Sequence, residues 1–567
     1  MKPLIEQRLR LARDGFMRQA LSRVRNGIRP HFDNALAPVP KIAPSQWDCG
    51  DTTSRALIAW LRVRQMLGDP AVDPEVESGL WQYLQTFIHP ETGLAYCPDH
   101  SDPKTSGYYY HLWDQGMFFQ YLVLRLQHLS AEREQTLARI RRLQKGLFRI
   151  ARHSVLHDRQ GIPGLVPDFA TAIWWETDCY WNDSPKLPAR DFGKMHWTGF
   201  TLTGALALYA QAKLLEITRD PQDRQLAQEL AHGYLCGFEQ SRGSRSPMFD
   251  DAGRFQGHFH GAVTGLVGLV TFARDLLAHG DAALGEKYID LAIRAYRWIF
   301  DASTNPSPAC SCGYFPETAM FGPRNGISGM NEVCGTADML ELAAALAGCH
   351  SLRLRWRAFA DLWDDIERFT VNDLFHTQFT KPERLSGDAA TLNRLRGAWI
   401  SSRSFPNDLG LYRTGGEPPQ LPVAGCCGYS GIRALYTAWT EAVTTEGDVT
   451  EVRIVTEHED ANVVITPRAA GGLRYRAKRD HQLRVRAPRA VAPDGWITRT
   501  PRAGEAAEIA WDKPRWSTRE KCGSFNIGGA WPALAENETP TYALTYEGNH
   551  LVRIEPSGLK YPFLEGL

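Results

Sequence analysis

The sequence has no excess of either charge, because 64 lysines and arginines are balanced by 64 aspartates and glutamates. A basic surface of the kind that binds nucleic acid or an anionic membrane is therefore not expected. No apolar run approaches the ~18 residues of a membrane span, and the segment from Met1 to Arg29 lacks the apolar core of a secretory signal. Together these absences predict a cytoplasmic protein that has neither nucleic-acid nor membrane partners.

The sequence also lacks a disulfide framework. Its eleven cysteines are odd in number and show no regular spacing, which argues against a small disulfide-stabilised fold and for a reducing compartment. In such a compartment, clustered cysteines are more often metal ligands or nucleophiles. Low-complexity segments are absent too, and the 567 residues are enough for two or more globular domains.

Helical periodicity dominates the chain from about residue 50 to about residue 445. Apolar helices are predicted at Ser54–Leu67, His111–Leu129, His196–Leu215, His260–Leu277, Glu332–Ala347 and Gly428–Ala442. Amphipathic helices are predicted between them, at Val76–Phe87, Glu132–Ala151, Asp223–Phe238, Ala282–Phe300 and Leu352–Phe375. The alternation predicts five helix pairs. A sixth pair forms if the last helix packs on the charged helical pattern of Met1 to Arg29.

Helix pairs at this spacing predict a mainly α fold, an (α/α)6 barrel over residues 1–445, with a helical solenoid as the alternative. The sequence then changes to short runs rich in Val, Ile, Thr and Tyr. Strands are predicted at Val452–Val455, Val463–Thr466, Leu473–Ala477, Leu483–Val485, Ala507–Ala510, Tyr542–Thr545 and Leu551–Ile554. Residues 446–567 are therefore predicted to form a C-terminal antiparallel β-sandwich.

Two segments that open predicted helices carry the chemistry. One contains Glu332 and Cys334, and the other contains the adjacent pair Cys426 and Cys427. The dipole and free N–H groups of a helix N-terminus favour a thiolate over a thiol. A glutamate and three thiolates form a complete set of four ligands for Zn²⁺, and three sulfurs favour zinc over magnesium or calcium. Two alternatives stay open at this point, namely buried core cysteines and a purely structural zinc site.

The Glu-x-Cys motif at Glu332, the cysteine pair at Cys426 and the trailing strand-rich region resemble the β-L-arabinofuranosidases of glycoside hydrolase family 127. In that family a glutamate and three cysteines hold zinc. The resemblance therefore implies zinc ligands at Glu332, Cys334, Cys426 and Cys427. The first cysteine of the pair is the family's nucleophile, which corresponds to Cys426. A glutamate upstream of the Glu-x-Cys motif is its general acid/base, which corresponds to Glu317.

The resemblance also implies three substrate-binding residues, His196, His260 and Glu367. From the sequence alone, a histidine that opens an apolar helix is more often a cap or a satisfied core group. His258 lies two residues before His260, so either histidine could face the pocket. Read without the resemblance, Glu317 would be a glutamate of a surface loop.

Five further residues have two possible roles each. Asp48, Asp51 and Asp114 precede or open predicted helices, where an aspartate caps the helix or binds a sugar hydroxyl. Cys310 and Cys312 flank one serine, and we interpret them as loop cysteines near the active site because no partner pair is evident.

The resemblance implies a retaining glycoside hydrolase that acts on an oligosaccharide or glycoside, most simply a β-L-arabinofuranoside. A thiolate nucleophile needs zinc because the metal keeps it deprotonated and allows the sulfur to leave again. One alternative is a metal-free enzyme on the same barrel, such as a sugar epimerase, an unsaturated-uronide hydrolase or a polysaccharide lyase. Another is a non-catalytic carbohydrate-binding protein with a structural zinc ion. The oligomeric state is not predicted.

Overall fold

A computed structural model describes residues 1–68, 73–98, 108–155, 164–167, 169–175, 179–181, 200–236, 248–255, 257–305, 308–319, 331–349, 360–411, 419–522 and 540–567. Helices occupy most of the described chain up to Ala442. They are α1 Lys2–Ala12, α2 Asp51–Leu67, α3 Pro74–Gln85, α4 Leu112–His128, α5 Arg133–Ile150, α6 Phe200–Thr218, α7 Pro221–Cys236, α8 Phe259–His279, α9 Ala282–Ile299, α10 Val333–Ala347, α11 Ala360–Arg368, α12 Ala389–Leu395 and α13 Gly425–Ala442. A wide π-type turn at Phe369–Leu374 and a last turn at Phe375–Thr377 prolong α11.

Six helices form an inner ring. In chain order α2, α4, α6, α8, α10 and α13 each pack against the next, and α13 packs against α2, so the ring closes. The helices α3, α5, α7, α9 and α11 each pack on the outside of the inner helix that precedes them, and α1 packs on α13. The predicted five pairs are present, and the N-terminal helix forms the sixth. Closure of the ring excludes an open solenoid.

The N-terminal segment differs from its prediction. The helical pattern assigned to Met1 to Arg29 ends earlier, and the chain instead forms the hairpin β1 Leu21–Val24 and β2 Gly27–Pro30. Gly27 closes the two-residue turn with φ +126°, and a Cβ there would lie 2.3 Å from the carbonyl oxygen of Gly79. Turn geometry and this close approach to α3 therefore override the helical period.

Short strands connect the other helices. They are β3 Asp33–Ala37, β4 Lys41–Ala43, β5 Cys97–Pro98, β6 Tyr108–His111, β7 Arg152–Val155, β8 Thr171–Trp174, β9 Cys179–Trp181, β10 Gly257–His258, β11 Thr318–Ala319 and β12 Leu421–Pro422. The hairpin of β3 and β4 is joined by β12, which directly precedes α13. The N-terminal region is thereby held against the end of the ring where α13 begins.

In the part of the chain that the structure describes, one helix, α8, is long and apolar enough to cross a membrane by length and composition. Core helices pass the same test, and α8 lies in the inner ring, where its first half is buried between α6 and α10. Its hydrophobicity is thus explained by its place in the ring.

The C-terminal region consists of strands. They are β13 Val443–Glu446, β14 Val449–Val452, β15 His458–Glu459, β16 Val463–Pro467, β17 Gly472–Ala477, β18 Gln482–Arg486, β19 Trp496–Arg499, β20 Ala506–Ala510, β21 Arg515–Lys521, β22 Thr541–Glu547 and β23 His550–Glu555. They form sheets in the orders β13-β14-β18-β19, β15-β16-β17-β20 and β21-β22-β23. Pairing is antiparallel as predicted, except that β14 and β18 run parallel. The domain boundary at 445/446 stays a prediction and falls inside β13.

A buried ion pair fastens the segment before α10 to the outer layer. Arg403 donates to Asp373 at 2.7 Å, and the side chains are 1% and 0% exposed. Thr336, in the first turn of α10, donates to the same carboxylate at 2.7 Å. The backbones of Arg403 and Asn331 also pair with each other. These contacts fix the residue that immediately precedes Glu332.

We expect Arg403→Met to destabilise the fold by about 3–5 kcal/mol, because it leaves the Asp373 carboxylate buried without its cation. Chemical denaturation followed by circular dichroism would measure the loss. The double variant Arg403→Met/Asp373→Asn removes both charges and should recover part of the lost stability. Equal stability of wild type and Arg403→Met would contradict this account of the pair.

Candidate functional site

A cavity of about 690 Å³ opens at the end of the ring where the inner helices begin. Five of these helices contribute residues close to their N-termini, and the β3–β4 hairpin and the loops before α13 complete the wall. The contributing inner-helix residues are Asp51, Arg55, Trp113, His260, Cys334, Cys426 and Cys427. The volume lies within the ordinary range for small-ligand sites. Helix N-termini carry partial positive charge, so this end of the ring favours thiolates and carboxylates.

Three cysteines meet in the cavity. The Sγ atoms of Cys334 and Cys427 are 3.4 Å apart, and those of Cys426 and Cys427 are 3.8 Å apart. All three sulfurs lie within 4.8 Å of one another. Cys334 and Cys427 are buried, whereas Cys426 is partly exposed. All three line the cavity, and Cys426, which the sequence resemblance assigns as nucleophile, is the most exposed of them.

The start of α13 is set by close backbone contacts. The amide of Gly425 donates to the carbonyl of Phe32 at 2.9 Å. A Cβ on Gly425 would lie 2.7 Å from the carbonyl oxygen of His31 and 2.8 Å from a methyl group of Thr52. Glycine is thus required for the helix to begin this close to the N-terminal segment. The approach places Cys426 and Cys427 in the first turn, facing the first turn of α10.

The sulfur spacing fits a zinc ion. Tetrahedral coordination with Zn–S bonds of about 2.3 Å places two sulfurs about 3.8 Å apart. The separations of 3.4 and 3.8 Å agree with that value. Three soft ligands in one buried cluster select zinc over magnesium or calcium.

The thiols titrate as a group. Burial raises the pKa of Cys334, but hydrogen bonds from Cys426 and Cys427 outweigh burial and hold that pKa well below its usual range. The hydrogen bond to Cys334 raises the pKa of Cys426, and burial raises that of Cys427. Cys334 is therefore the sulfur whose ionisation is favoured, with Cys426 and Cys427 as its hydrogen-bond donors, and a charge on Cys334 opposes ionisation of the other two.

A second group of ligand atoms lies beside the cysteines. It consists of His258, Glu317 and Glu332, whose ligand atoms are also within 4.8 Å of one another. The Nε2 atom of His258 is 3.6 Å from a carboxylate oxygen of Glu332. Burial lowers the pKa of His258, but the hydrogen bond and charge of Glu332 outweigh burial and raise it. The negative charge of Glu332 also raises the pKa of Cys426, but Glu332 belongs to this second group and not to the cysteine group.

A small ribbon brings Glu317 to the site. The strands β10 and β11 pair with His258 opposite Thr318, and the amide of Phe259 donates to the carbonyl of Glu317 at 2.8 Å. Asn331 holds the segment that carries Glu332, because its side-chain oxygen accepts a hydrogen bond from the amide of Phe315 at 2.5 Å. The two glutamates, fifteen residues apart in sequence, are thus held near one histidine.

His260 lines the cavity, but its ring is bound within the protein. Arg55 contacts its Nε2 at 3.1 Å, and Asp338 makes a hydrogen bond to its Nδ1. The Trp113 ring packs edge-on against it at 5.1 Å. A sugar hydroxyl would have to compete with Arg55 or Asp338 for these nitrogens. His258 lines the cavity as well, so both histidines face it, and the sugar contact of His260 stays a prediction.

The two other predicted substrate contacts are Glu367, which the structure describes, and His196, which it does not. Glu367 lies on the outer helix α11 and accepts a hydrogen bond from Asn549 at 2.6 Å, in the turn between β22 and β23. Among the described residues it is not part of the cavity wall. His196 lies outside the described residues. Both assignments stay predictions.

The three aspartates lie in different surroundings. Asp48 is structural, because it closes a capping box with Ser45 and accepts from Arg29 at 2.9 Å. Asp51 opens α2, lines the cavity and forms an ion pair with Arg55 at 2.6 Å. Asp114 accepts from the thiol of Cys97 at 3.0 Å. Burial and the charge of Asp51 raise the pKa of Asp114 to about 7.

Cys310 and Cys312 belong to a different contact. Both are fully buried, and Cys310 interacts with Cys312 and with Cys522 of the C-terminal region. Ser311 between them donates to Glu520 at 2.5 Å. This loop fastens the helical region to β21, and its cysteines do not line the cavity in the described chain.

Sequence reasoning missed the aromatic and cationic parts of the wall. Trp47 and His111 pack edge-on at 4.8 Å, and Trp113 contacts both site histidines. Burial lowers the pKa of His111 to about 3, so its imidazole is neutral. Arg55 follows Asp51 by four residues, a spacing that in a helix indicates an ion pair and that could have identified it.

No protein-family model and no curated protein matches the chain. Among solved structures, a GH127 beta-L-arabinofuranosidase from Geobacillus stearothermophilus T6 matches with a TM-score of 0.51 at 13% identity, covering 96% of this chain and 80% of that chain. A structure named a glycoside hydrolase matches with a TM-score of 0.50 at 11% identity, covering 95% and 84%. A cellobiose 2-epimerase from Bacillus thermoamylovorans B4167 has a TM-score of 0.49 at 12% identity, covering 77% and 99%. The first two matches show a shared fold.

Proposed function

We propose that the protein is a retaining glycoside hydrolase on an (α/α)6 barrel, with a zinc-bound cysteine nucleophile and a glutamate general acid/base. The cluster of Cys334, Cys426 and Cys427 at the floor of the cavity carries the proposal. A core function for these cysteines would not require the partial exposure of Cys426. The closed ring of helix pairs and the fold shared with a GH127 enzyme support the same assignment.

The cavity provides the parts that this chemistry requires. Glu332, Cys334, Cys426 and Cys427, all of which line the cavity, would hold the metal. When bound, zinc would keep the thiolates deprotonated at neutral pH and make the sulfur a better leaving group. Trp47 and Trp113 give flat apolar surfaces of the kind on which sugar rings stack.

Two steps complete the reaction. The Sγ atom of Cys426 bonds to the anomeric carbon while the glycosidic C–O bond breaks, and Glu317 gives its proton to the leaving oxygen. Water then attacks the same carbon, Glu317 takes the proton of that water, and the C–S bond breaks to return the thiolate. The proposed substrate is an oligosaccharide or glycoside with a terminal furanoside, most simply β-L-arabinofuranose.

Metal analysis tests the centre directly. We expect about one zinc ion per chain in reduced wild-type protein, as four protein ligands suffice for one ion, and no bound zinc in Cys334→Ala. Elemental analysis after desalting would measure the stoichiometry. Cys349→Ala is the matched control, because Cys349 is a buried thiol at the far end of α10 that bonds to the carbonyl of Ala345.

A well-folded wild type that takes up no zinc under reducing conditions would contradict the proposal and favour a metal-free carbohydrate enzyme. Zinc that is retained in Cys334→Ala but lost in Cys349→Ala would place the metal elsewhere.

A further inference from the structure

A line of buried side chains, linked by hydrogen bonds and ion pairs, crosses the inner ring beside the cysteine cluster. Asp51 pairs with Arg55 at 2.6 Å, and Arg55 contacts His260 at 3.1 Å. His260 binds Asp338, which also accepts from Arg433 at 2.5 Å. No side chain in the line is more than 8% exposed. The line joins α2, α8, α10 and α13, which are four of the six inner helices.

The chemistry of arginine fixes the protonation of this line. A guanidinium stays charged at every relevant pH and can only donate hydrogen bonds. The Nε2 atom of His260 therefore accepts from Arg55, which leaves the proton on Nδ1 to be donated to Asp338. Ser430 accepts from the remaining arm of Arg55 at 3.0 Å. The guanidinium is thus fixed by three partners, and His260 acts as a support for it.

The cation is fixed beside the proposed metal ligands. Arg55 lines the same cavity as Cys334 and Cys426. Burial lowers the pKa of Arg55, but the charges of Asp51, Cys334 and Cys426 outweigh burial and raise it. A zinc ion held by three thiolates and a carboxylate is an anion overall, because its ligands bring more charge than the metal. Such a buried anion needs a nearby cation to be stable.

We infer that Arg55 is a positioning residue for the metal centre, supplying the positive charge that balances the thiolate cluster, with His260 holding it in place. The inference rests on the zinc site proposed above. It predicts opposite effects for the two members of the Asp51–Arg55 pair. The positive charge of Arg55 stabilises the anionic metal centre, whereas the negative charge of Asp51 destabilises it.

The test compares zinc affinity across charge variants of the full-length, reduced protein. Competition with a chromophoric chelator gives the dissociation constant, and the thiolate-to-cobalt absorption of the Co²⁺-loaded protein reports the ligand set. We expect Arg55→Gln to weaken zinc binding about 10- to 100-fold, as changes next to metal ligands do. Arg55→Lys should recover part of the loss, and Asp51→Asn should bind zinc as tightly as wild type or more tightly.

Arg62→Gln is the matched control, since it removes the same charge from the same helix two turns further on. The Arg62 side chain lies over the ring of Tyr436 at 3.8 Å and bonds to Gln65 at 2.9 Å. If Arg55→Gln does not fold, Asp51→Asn/Arg55→Gln removes both charges of the pair and should weaken zinc binding relative to Asp51→Asn alone.

Two results would overturn the inference while leaving the proposed function intact. The first is that wild type and Arg55→Gln both bind zinc, and with equal affinity. The other is an Asp51→Asn variant that weakens binding as much as Arg55→Gln does, because a purely structural pair predicts equal effects. A wild type that binds no zinc would instead overturn the proposed function and this inference together.

Discussion

Replacing Cys426 with serine is expected to lower turnover by about 10⁴-fold or more while leaving the protein folded. The estimate follows from the loss of a nucleophile that works together with its acid/base partner. Serine keeps the size of the side chain, and Cys426 is the partly exposed member of the cluster, so little packing is lost. Initial rates on an aryl β-L-arabinofuranoside, with thermal unfolding measured in parallel, would test the expectation.

Cys426 is proposed as both a ligand and the nucleophile, so turnover alone does not separate the two roles. A covalent adduct between the sugar and the cysteine separates the role of nucleophile from that of ligand. When a substrate with a good leaving group is mixed with the enzyme and quenched with acid, mass spectrometry should find the added sugar on the peptide that carries Cys426. Cys349→Ser is the control, and it should keep both activity and adduct. An adduct on any other residue, or full activity in Cys426→Ser, would contradict the mechanism.

Much of the scaffold was predictable because helices in a double ring have a strong local signal. The inner helices are buried over most of their length, as α8 illustrates, and the outer helices are apolar on one face, as α9 illustrates. The Arg25–Asn26 turn, which is followed by Gly27, had an equally local signal in the Asn26-Gly27 dipeptide. It was missed because the charged pattern around it also fits a helix. The parallel pairing of β14 and β18 depends on contacts between distant strands, which short alternating runs do not specify.

The candidate site was predictable where chemistry is concentrated in short motifs. Cys334 and the cysteine pair stand out in the sequence, and the structure brings the three together. Arg55 could not be linked to His260 in advance, because they lie 205 residues apart on two helices. Glu367 was assigned from the resemblance alone. It lies on the outer helix α11, where it accepts a hydrogen bond from Asn549, and its sugar contact stays a prediction.

Glu317 provides the second large effect. We expect Glu317→Gln to lower kcat/KM by about 10²- to 10⁴-fold on an alkyl β-L-arabinofuranoside, the usual size of a general-acid contribution. On a nitrophenyl β-L-arabinofuranoside the loss should be small, because that leaving group departs without a proton. Steady-state rates on the two substrates, measured for the wild type and the variant, give the comparison.

The control for this experiment is Glu332→Gln. Both glutamates are half-buried and lie beside His258 in the same group of ligand atoms. Glu332 is proposed to act through the metal, and its loss should slow both substrates alike and reduce zinc content. Glu317 is proposed to act on the leaving group, so its loss should depend on the leaving group and keep the zinc. Equal losses on both substrates in Glu317→Gln would contradict the acid/base role of Glu317. The acid/base would then be sought elsewhere in the cavity, first at His258, whose ligand atom lies within 4.8 Å of those of both glutamates.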